Sequence, residues 1–252
     1  MAIDLNCDLG ESFGAWKLSD DAAMLEIVTS ANVACGFHAG DPSGLRATCS
    51  TAASGGVVIG AHVSYLDLMG FGRRRIEMDP DDLSDLVLYQ LGALDAFAQS
   101  ARTEVAYVKP HGALYHAAAV EPELARAVVS AAAEYDFSLA IMGPPDSALL
   151  SAADEAGLDA VPEAFVDRAY QPDGRLVPRS EPGSVLTDPQ EIATRAVRLA
   201  VDEEVVATDD SVVSIAARSL CVHGDTPGAV EIARAVREAL DSAGVSAQSF
   251  IG

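Results

Sequence analysis

Short apolar runs along this chain stop, one after another, at or just before a histidine. Asn32-Val33-Ala34-Cys35-Gly36-Phe37 leads to His38, residues 57–59 lead through Gly60-Ala61 to His62, residues 105–108 through Lys109-Pro110 to His111, and residues 220–222 to His223. Between the runs, apolar residues recur at three- and four-residue steps, the spacing of one helix face. Met24, Leu25, Ile27 and Val28 follow Ser19-Asp20-Asp21, and Leu83, Leu86, Val87, Leu91, Leu94 and Phe97 mark the longest helix, from Asp79-Pro80. Strands alternating with helices predict parallel βαβ units, and in a closed barrel of such units the site lies at the carboxyl ends of the strands. The expected fold is a seven-stranded parallel β/α barrel of TIM type, with four histidines on one rim.

Residues 3–9 alternate as Ile-Asp-Leu-Asn-Cys-Asp-Leu, which fits a half-buried surface strand or a first barrel strand with polar groups pointing inward. Asn6, Asp8, Glu11 and Ser12 gather near its end. Asp41-Pro42, Asp79-Pro80, Asp188-Pro189 and Thr226-Pro227 carry the helix-start signal of a cap followed by proline. The first and last come three residues after a histidine, so their backbone N–H groups should point at the rim, where they attract phosphate or carboxylate. Further helices are predicted at residues 121–135, 146–156, 188–200 and 226–240, and further strands at 137–142 and 158–164. Residues 205–217 are ambiguous. The irregular, basic segment 63–75 is a candidate site loop, and the long Pro/Gly-rich segment 165–179, with three arginines, a candidate lid.

A chain of 252 residues, half of them hydrophobic, can bury one full core, so residues 1–252 are expected to form a single domain. A formal charge of −22 argues against nucleic acid and anionic membrane surfaces as partners. No apolar run approaches the ~20 residues of a membrane helix, and no basic region precedes an apolar stretch at the amino terminus, so a cytoplasmic location is expected. Lysine occurs only at positions 17 and 109, which makes Lys109, at the end of an inner strand, conspicuous. Cys7, Cys35, Cys49 and Cys221 show no paired spacing and read as buried, reduced thiols.

The chain has no P-loop, no Gly-x-Gly-x-x-Gly turn and no Gly-x-Ser-x-Gly elbow. What the strand ends offer is His38, His62, His111 and His223 with Asp8, Glu11, Asp41, Asp67, Glu163, Asp167 and Asp225, together with Lys109 and several arginines. Such a set supports proton transfer and anion binding, or metal-assisted hydrolysis if two histidines and a carboxylate converge. His-x-His and His-Glu-x-x-His spacings are missing.

The segments at residues 4–11, 30–41, 60–62, 70–74, 108–115, 167–170 and 221–225 together resemble the LamB/YcsF family over nearly the whole chain. Asp4-Leu5-Asn6-Cys7-Asp8-Leu9-Gly10-Glu11, Gly70-Phe71-Gly72-Arg73-Arg74 and Val108-Lys109-Pro110-His111-Gly112 carry it most specifically. Val63 and Leu66 depart from it, standing where the family often has proline. The resemblance implies a barrel related to the glycoside hydrolase/deacetylase folds. It also implies the A component of an ATP-dependent 5-oxoprolinase, which opens 5-oxo-L-proline to L-glutamate with two other subunits, the B and C components, using ATP with Mg²⁺ as co-substrate.

A lactam carbonyl is a poor electrophile, and phosphorylating its oxygen activates it towards water, a transfer that demands cations and N–H donors. On this reading Asp8 or Glu11 activates water, His38, His62 and His111 move protons, and Lys109, Arg73 or Arg74 and the two rim-facing helix starts hold phosphate or substrate carboxylate. Asn6, Asn32, Asp41, Tyr65, Asp167, Arg168, His223 and Asp225 complete the expected binding set. A metal, if held, would fall to Asp8, His38 and His62. A stand-alone metal-dependent deacetylase or amidase and a non-catalytic protein that delivers substrate to its partners stay open as alternatives.

Overall fold

The computed structural model describes residues 1–251. In chain order, the first half contains β1 (Ala2–Leu9), α1 (Asp21–Leu25), β2 (Ser30–Ala34), α2 (Pro42–Gly55), β3 (Val58–His62), α3 (Pro80–Ser100), β4 (Val105–Val108), α4 (Gly112–Val120) and α5 (Pro122–Tyr135). The second half contains β5 (Ala140–Gly143), α6 (Ala148–Ala156), β6 (Ala160–Phe165), α7 (Pro189–Val201), β7 (Glu204–Val206), β8 (Val212–Ser214), β9 (Ser219–His223), α8 (Ala229–Ser242) and β10 (Ser246–Ala247). Strands β1 to β6 pair in sequence order, β6 pairs with β9, and β9 returns to β1, all in parallel. This is the closed seven-stranded barrel that the alternation of runs and helices predicts. The segment 205–217 lies outside it, as the antiparallel hairpin β7–β8, while β10 adds a short parallel extension to β1.

Strand β1 explains why the barrel interior is polar. Ile3, Leu5, Cys7 and Leu9 join the apolar cluster between sheet and helices. Asp4, Asn6 and Asp8 point the other way and bond across the barrel, so the inward-polar reading of 3–9 is the observed one. Asp4 accepts from Thr29 and Ser30, each at 2.6 Å, and from Ser219. Burial nonetheless pushes its carboxyl above the ordinary range. One layer higher, Tyr107 reaches across to donate to Asn32 Oδ1 at 2.6 Å. A Cβ at Gly60 would overlap the Tyr107 ring, so glycine is required there.

Asp41, Asp79 and Asp188 cap α2, α3 and α7 as the Asp-Pro signal predicts. Thr226-Pro227 does not start a helix: α8 begins at Ala229, behind Gly228 in the left-handed region. Strand β2 ends at Ala34, and His38 sits beyond it in a turn closed by Gly36 N–H to the Ala39 carbonyl at 3.0 Å. Strand β5 begins at Ala140, because Asp136 takes the Ser138 N–H into a local turn and leaves Phe137 exposed. Helix α1 stops at Leu25, and Ile27 and Val28 are buried in the connection behind it. Helix α4 carries no apolar stripe, being apolar nearly all round, and so leaves no amphipathic pattern in the sequence. No helix among the described residues is long and apolar enough to cross a membrane.

Candidate active site

The carboxyl ends of the barrel strands and the loops above them enclose a cavity of about 410 Å³. Asp8, His62, Lys109 and His111 form its floor and near wall, and Arg73, Arg168, Arg179, His223 and Asp225 surround the upper part. Lys109 reaches its floor from the end of β4 and is almost wholly buried. Its ammonium lies 2.6 Å from Glu163 Oε1 and donates to Asp8 Oδ1 at 3.2 Å, Asn6 Oδ1 at 3.3 Å and Cys221 Sγ at 3.3 Å. Burial alone would favour the neutral amine, but the carboxylates around it outweigh that and hold its pKa well above the ordinary lysine value.

The partners of Lys109 are themselves fixed. Glu163 accepts from Asn6 Nδ2 at 2.9 Å and from the Tyr115 hydroxyl at 3.1 Å, and Asp8 Oδ1 accepts from Asn32 Nδ2 at 2.8 Å. Burial pushes Asp8 up, yet the cations of this site and the His62 contact outweigh it and keep the carboxyl well below the ordinary range. Burial lifts the Cys221 thiol well above its ordinary value, which leaves it a weak acceptor for Lys109 and not a nucleophile.

Beside this floor three imidazoles crowd together. The rings of His38 and His111 stack 3.8 Å apart and nearly parallel, with His62 edge-on to both. His111 Nδ1 lies 3.0 Å from His62 Nε2, Glu11 Oε1 lies 3.0 Å from His38 Nε2, and Asp8 Oδ2 lies 3.3 Å from His62 Nε2. Burial, reinforced by the neighbouring imidazoles, drives His38 and His111 well below the ordinary histidine value. Burial, with the charge of Asp8, pushes Glu11 up to about 8. The 63–75 loop covers this cluster at Gly72, whose positive φ and contact with His38, Ser64 and His111 leave no room for a side chain.

At the mouth, Asp167 accepts the His223 backbone N–H at 2.9 Å and holds its Nδ1 at 2.9 Å, which fixes the ring against Phe165. Burial would raise Asp167, but these contacts and the charge of His223 bring it below the ordinary carboxylate range. Arg73 pairs with Asp225 at 2.9 Å, and Arg179 stands 3.7 Å from the same carboxylate. Arg168 is buried and donates to the Ser184 and Val177 carbonyls at 3.0 and 2.5 Å. The 165–179 segment is thereby an ordered cover, with Phe165, Leu176 and Pro178 lining the cavity.

The structure thus gathers Asp8, Glu11, His62, Lys109, His111, Arg73, Arg168, His223 and Asp225 around one space, with Asn6, Asn32, His38 and Asp167 directly behind them. Three expected binding residues lie elsewhere. The Asp41 carboxylate is occupied by the N–H groups of Ser43, Gly44 and Gly14, so the α2 start is closed to a ligand. Arg74 turns outward to pair with Asp67, and Tyr65 is buried with its hydroxyl unpartnered, away from the cavity. Tyr115, Phe165, Arg179 and Cys221 contribute although the sequence does not single them out as binding residues. Tyr115 and Cys221 carry a sequence signal in the segments that hold His111 and His223, whereas the placement of Arg179 depends on how the cover folds. His116, a histidine at no strand end, also reaches the cavity wall.

A model of the LamB/YcsF family matches residues 3–251. The 5-oxoprolinase A-subunit of Streptomyces coelicolor is 58% identical over 98% of this chain and 99% of its own, and that of Nocardia farcinica is 55% identical over 100% of both. The crystal structure of a lactam utilization protein from Thermus thermophilus, 45% identical, matches with a TM-score of 0.94 over 99% of this chain and 100% of that one. The chain belongs to the LamB/YcsF family.

Proposed function

We propose that this chain is the A component of an ATP-dependent 5-oxoprolinase, a hydrolase that opens 5-oxo-L-proline to L-glutamate together with the B and C components, and that the rim cavity holds the lactam. The observation that carries the reading is the buried ammonium of Lys109, held charged between Asp8 and Glu163 on the cavity floor. It supplies a fixed positive charge in a water-poor site, where an oxygen gaining negative charge is stabilised far more than in water. Full-length relatives that bear the name of this 5-oxoprolinase component support the same reading.

In the proposed reaction a phosphoryl group from ATP, bound with Mg²⁺, is transferred to the lactam oxygen. Water then forms a bond to the activated carbon and gives up a proton, the ring C–N bond breaks as the nitrogen takes up a proton, and a second water cleaves the resulting acyl phosphate, so that ATP and two waters become ADP, inorganic phosphate and the γ-carboxylate of glutamate. The cluster of Glu11, His38, His62 and His111 is the element that activates the water and handles these protons. Arg73, Arg179 and His223 face the substrate carboxylate or phosphate, and Asp167 positions His223. Arg168 holds the cover closed. The polar groups of the cavity floor are buried away from bulk water, and the start of α2 takes no part.

The test is reconstitution. The chain combined with both partner proteins should release glutamate from 5-oxoproline only when ATP is present. Glutamate release by the chain alone without ATP, or by the partners without this chain, would overturn the proposal.

A further inference from the structure

The two best-fixed histidines of the cluster have tautomers that can be read from their outer hydrogen bonds. His62 Nδ1 lies 3.0 Å from the Lys109 carbonyl and His111 Nε2 lies 2.9 Å from the Phe71 carbonyl. A carbonyl only accepts, so each of these nitrogens carries its ring proton. In the unprotonated form of both rings, the form a metal binds, the opposite nitrogens, His62 Nε2 and His111 Nδ1, present lone pairs, and they face each other at 3.0 Å. In that form neither has a hydrogen to offer the other. Glu11 Oε1, 3.7 Å from His111 Nδ1, and Asp8 Oδ2, 3.3 Å from His62 Nε2, bring carboxyl oxygens to the same point. His38 Nε2 lies against Glu11 Oε1 at 3.0 Å, and its Nδ1 is buried without a partner.

In their deprotonated forms these buried groups aim lone pairs at one another and repel unless a positive centre, a proton or a metal cation, sits among them. The protein has wrapped that point in outer carbonyls that orient the imidazoles, the arrangement by which metal-ligating histidines are held. One ligand atom from each of Glu11, His38, His62 and His111 lies within 4.8 Å of the other three. Bonds of about 2.1 Å from nitrogen and oxygen to a tetrahedral ion place the ligand atoms about 3.4 Å apart; the His62–His111, His38–Glu11 and His111–Glu11 contacts of 3.0, 3.0 and 3.7 Å lie around that value, and the remaining pairs lie within 4.8 Å.

We propose that Glu11, His38, His62 and His111 form a binding site for one divalent transition-metal cation, of which Zn²⁺ is the type. Three imidazoles and a carboxylate suit such an ion far better than Mg²⁺, which prefers oxygen ligands and retains its water. Asp8 lies outside the converging set: its Oδ1 is engaged by Asn32 and Lys109, and its Oδ2, 3.3 Å from His62 Nε2, stands beside the ion as a charge. The site concerns the same cluster as the proposed water activation, but its test reads metal and not turnover, so the two can fail separately.

The full chain, stripped with a chelator and dialysed, is titrated calorimetrically with Zn²⁺, and separately with Co²⁺ while visible absorption is followed. The expected result is one Zn²⁺ per chain with Kd below about 1 µM, Co²⁺ bands of a low-coordinate site, and no displacement by millimolar Mg²⁺. The double variant His62→Gln/His111→Gln should bind at least 100-fold more weakly. Should that variant fail to fold, imidazole ¹⁵N shifts of the unaltered chain give the answer: addition of Zn²⁺ should move His62 Nε2 and His111 Nδ1 and leave His116 in place. No saturable binding, affinity unchanged in the double variant, or ¹⁵N shifts showing a second ring proton on His62 that Zn²⁺ does not displace would each overturn the proposal.

Discussion

Replacing Lys109 with methionine keeps the length of the side chain and removes its charge. The ammonium lies 2.6 Å from Glu163 and 3.2 Å from Asp8, and both it and Glu163 are within a few per cent of full burial. Removing one partner of a buried ion pair leaves the other charge uncompensated and costs about 3–5 kcal/mol. For a chain of this size each kcal/mol corresponds to roughly 2–4 °C in Tm, so Lys109→Met should melt roughly 6–20 °C below the parent. The cost comes from stranded charge and not from lost packing. Neutralising Glu163 as well should therefore return at least half of it, because Asp8 keeps Asn32 and His62 as partners. Differential scanning calorimetry of the parent, Lys109→Met, Glu163→Gln and the double variant completes the cycle. Lys109→Met within about 1 kcal/mol of the parent, or a double variant less stable than Lys109→Met, would refute the reasoning.

Three further outcomes follow from the cover and the mouth. Asp167 is held below its ordinary value by His223, so its contribution to stability is present above the unfolded carboxyl pKa of about 3.9 and is lost as pH falls through the folded value. Asp167→Asn should thus be about 1.5–3 kcal/mol less stable at pH 7 and converge with the parent in acid, and a deficit that persists unchanged to pH 2 in chemical unfolding would contradict this. Gly72→Ala places a methyl group against His38, Ser64 and His111 at a positive φ, costing about 1–2 kcal/mol from the backbone alone and lowering kcat of the reconstituted enzyme; parental stability and turnover would count against the close approach. Arg168→Ala leaves the Ser184 and Val177 carbonyls without their donor, so limited proteolysis should cut within residues 167–186 well before the parent is cleaved there, and equal cleavage rates would show that Arg168 does not hold the cover.

Much of the barrel is legible in the sequence because its strands end in unusual residues. His62 and His223 end β3 and β9, Lys109 follows directly on β4 with His111 two residues beyond it at the start of α4, and the Asp-Pro starts of α2, α3 and α7 fix where three helices begin. Periodicity fails where burial is uniform: α4 is apolar on nearly every face, so no stripe announces it. Thr226-Pro227 misleads because a left-handed Gly228 supplies the real boundary. Side-chain direction is less legible than position. Asp41, Arg74 and Tyr65 stand in the right segments, yet their polar groups are drawn to local partners or buried away from the cavity. Glu163 needs the fold to show its importance, because its carboxylate meets Lys109, Asn6 and Tyr115 only when β1, β4, α4 and β6 close around it.

The most direct test of the proposed site uses the Lys109→Met/Glu163→Gln double variant, once calorimetry shows that it folds, reconstituted with both partner proteins and supplied with ATP and 5-oxoproline. If the buried ammonium on the cavity floor acts on the lactam, glutamate release falls at least 1000-fold, about 4 kcal/mol of lost transition-state stabilisation. Release at the parental rate from a folded, assembled variant would place the reaction outside this cavity.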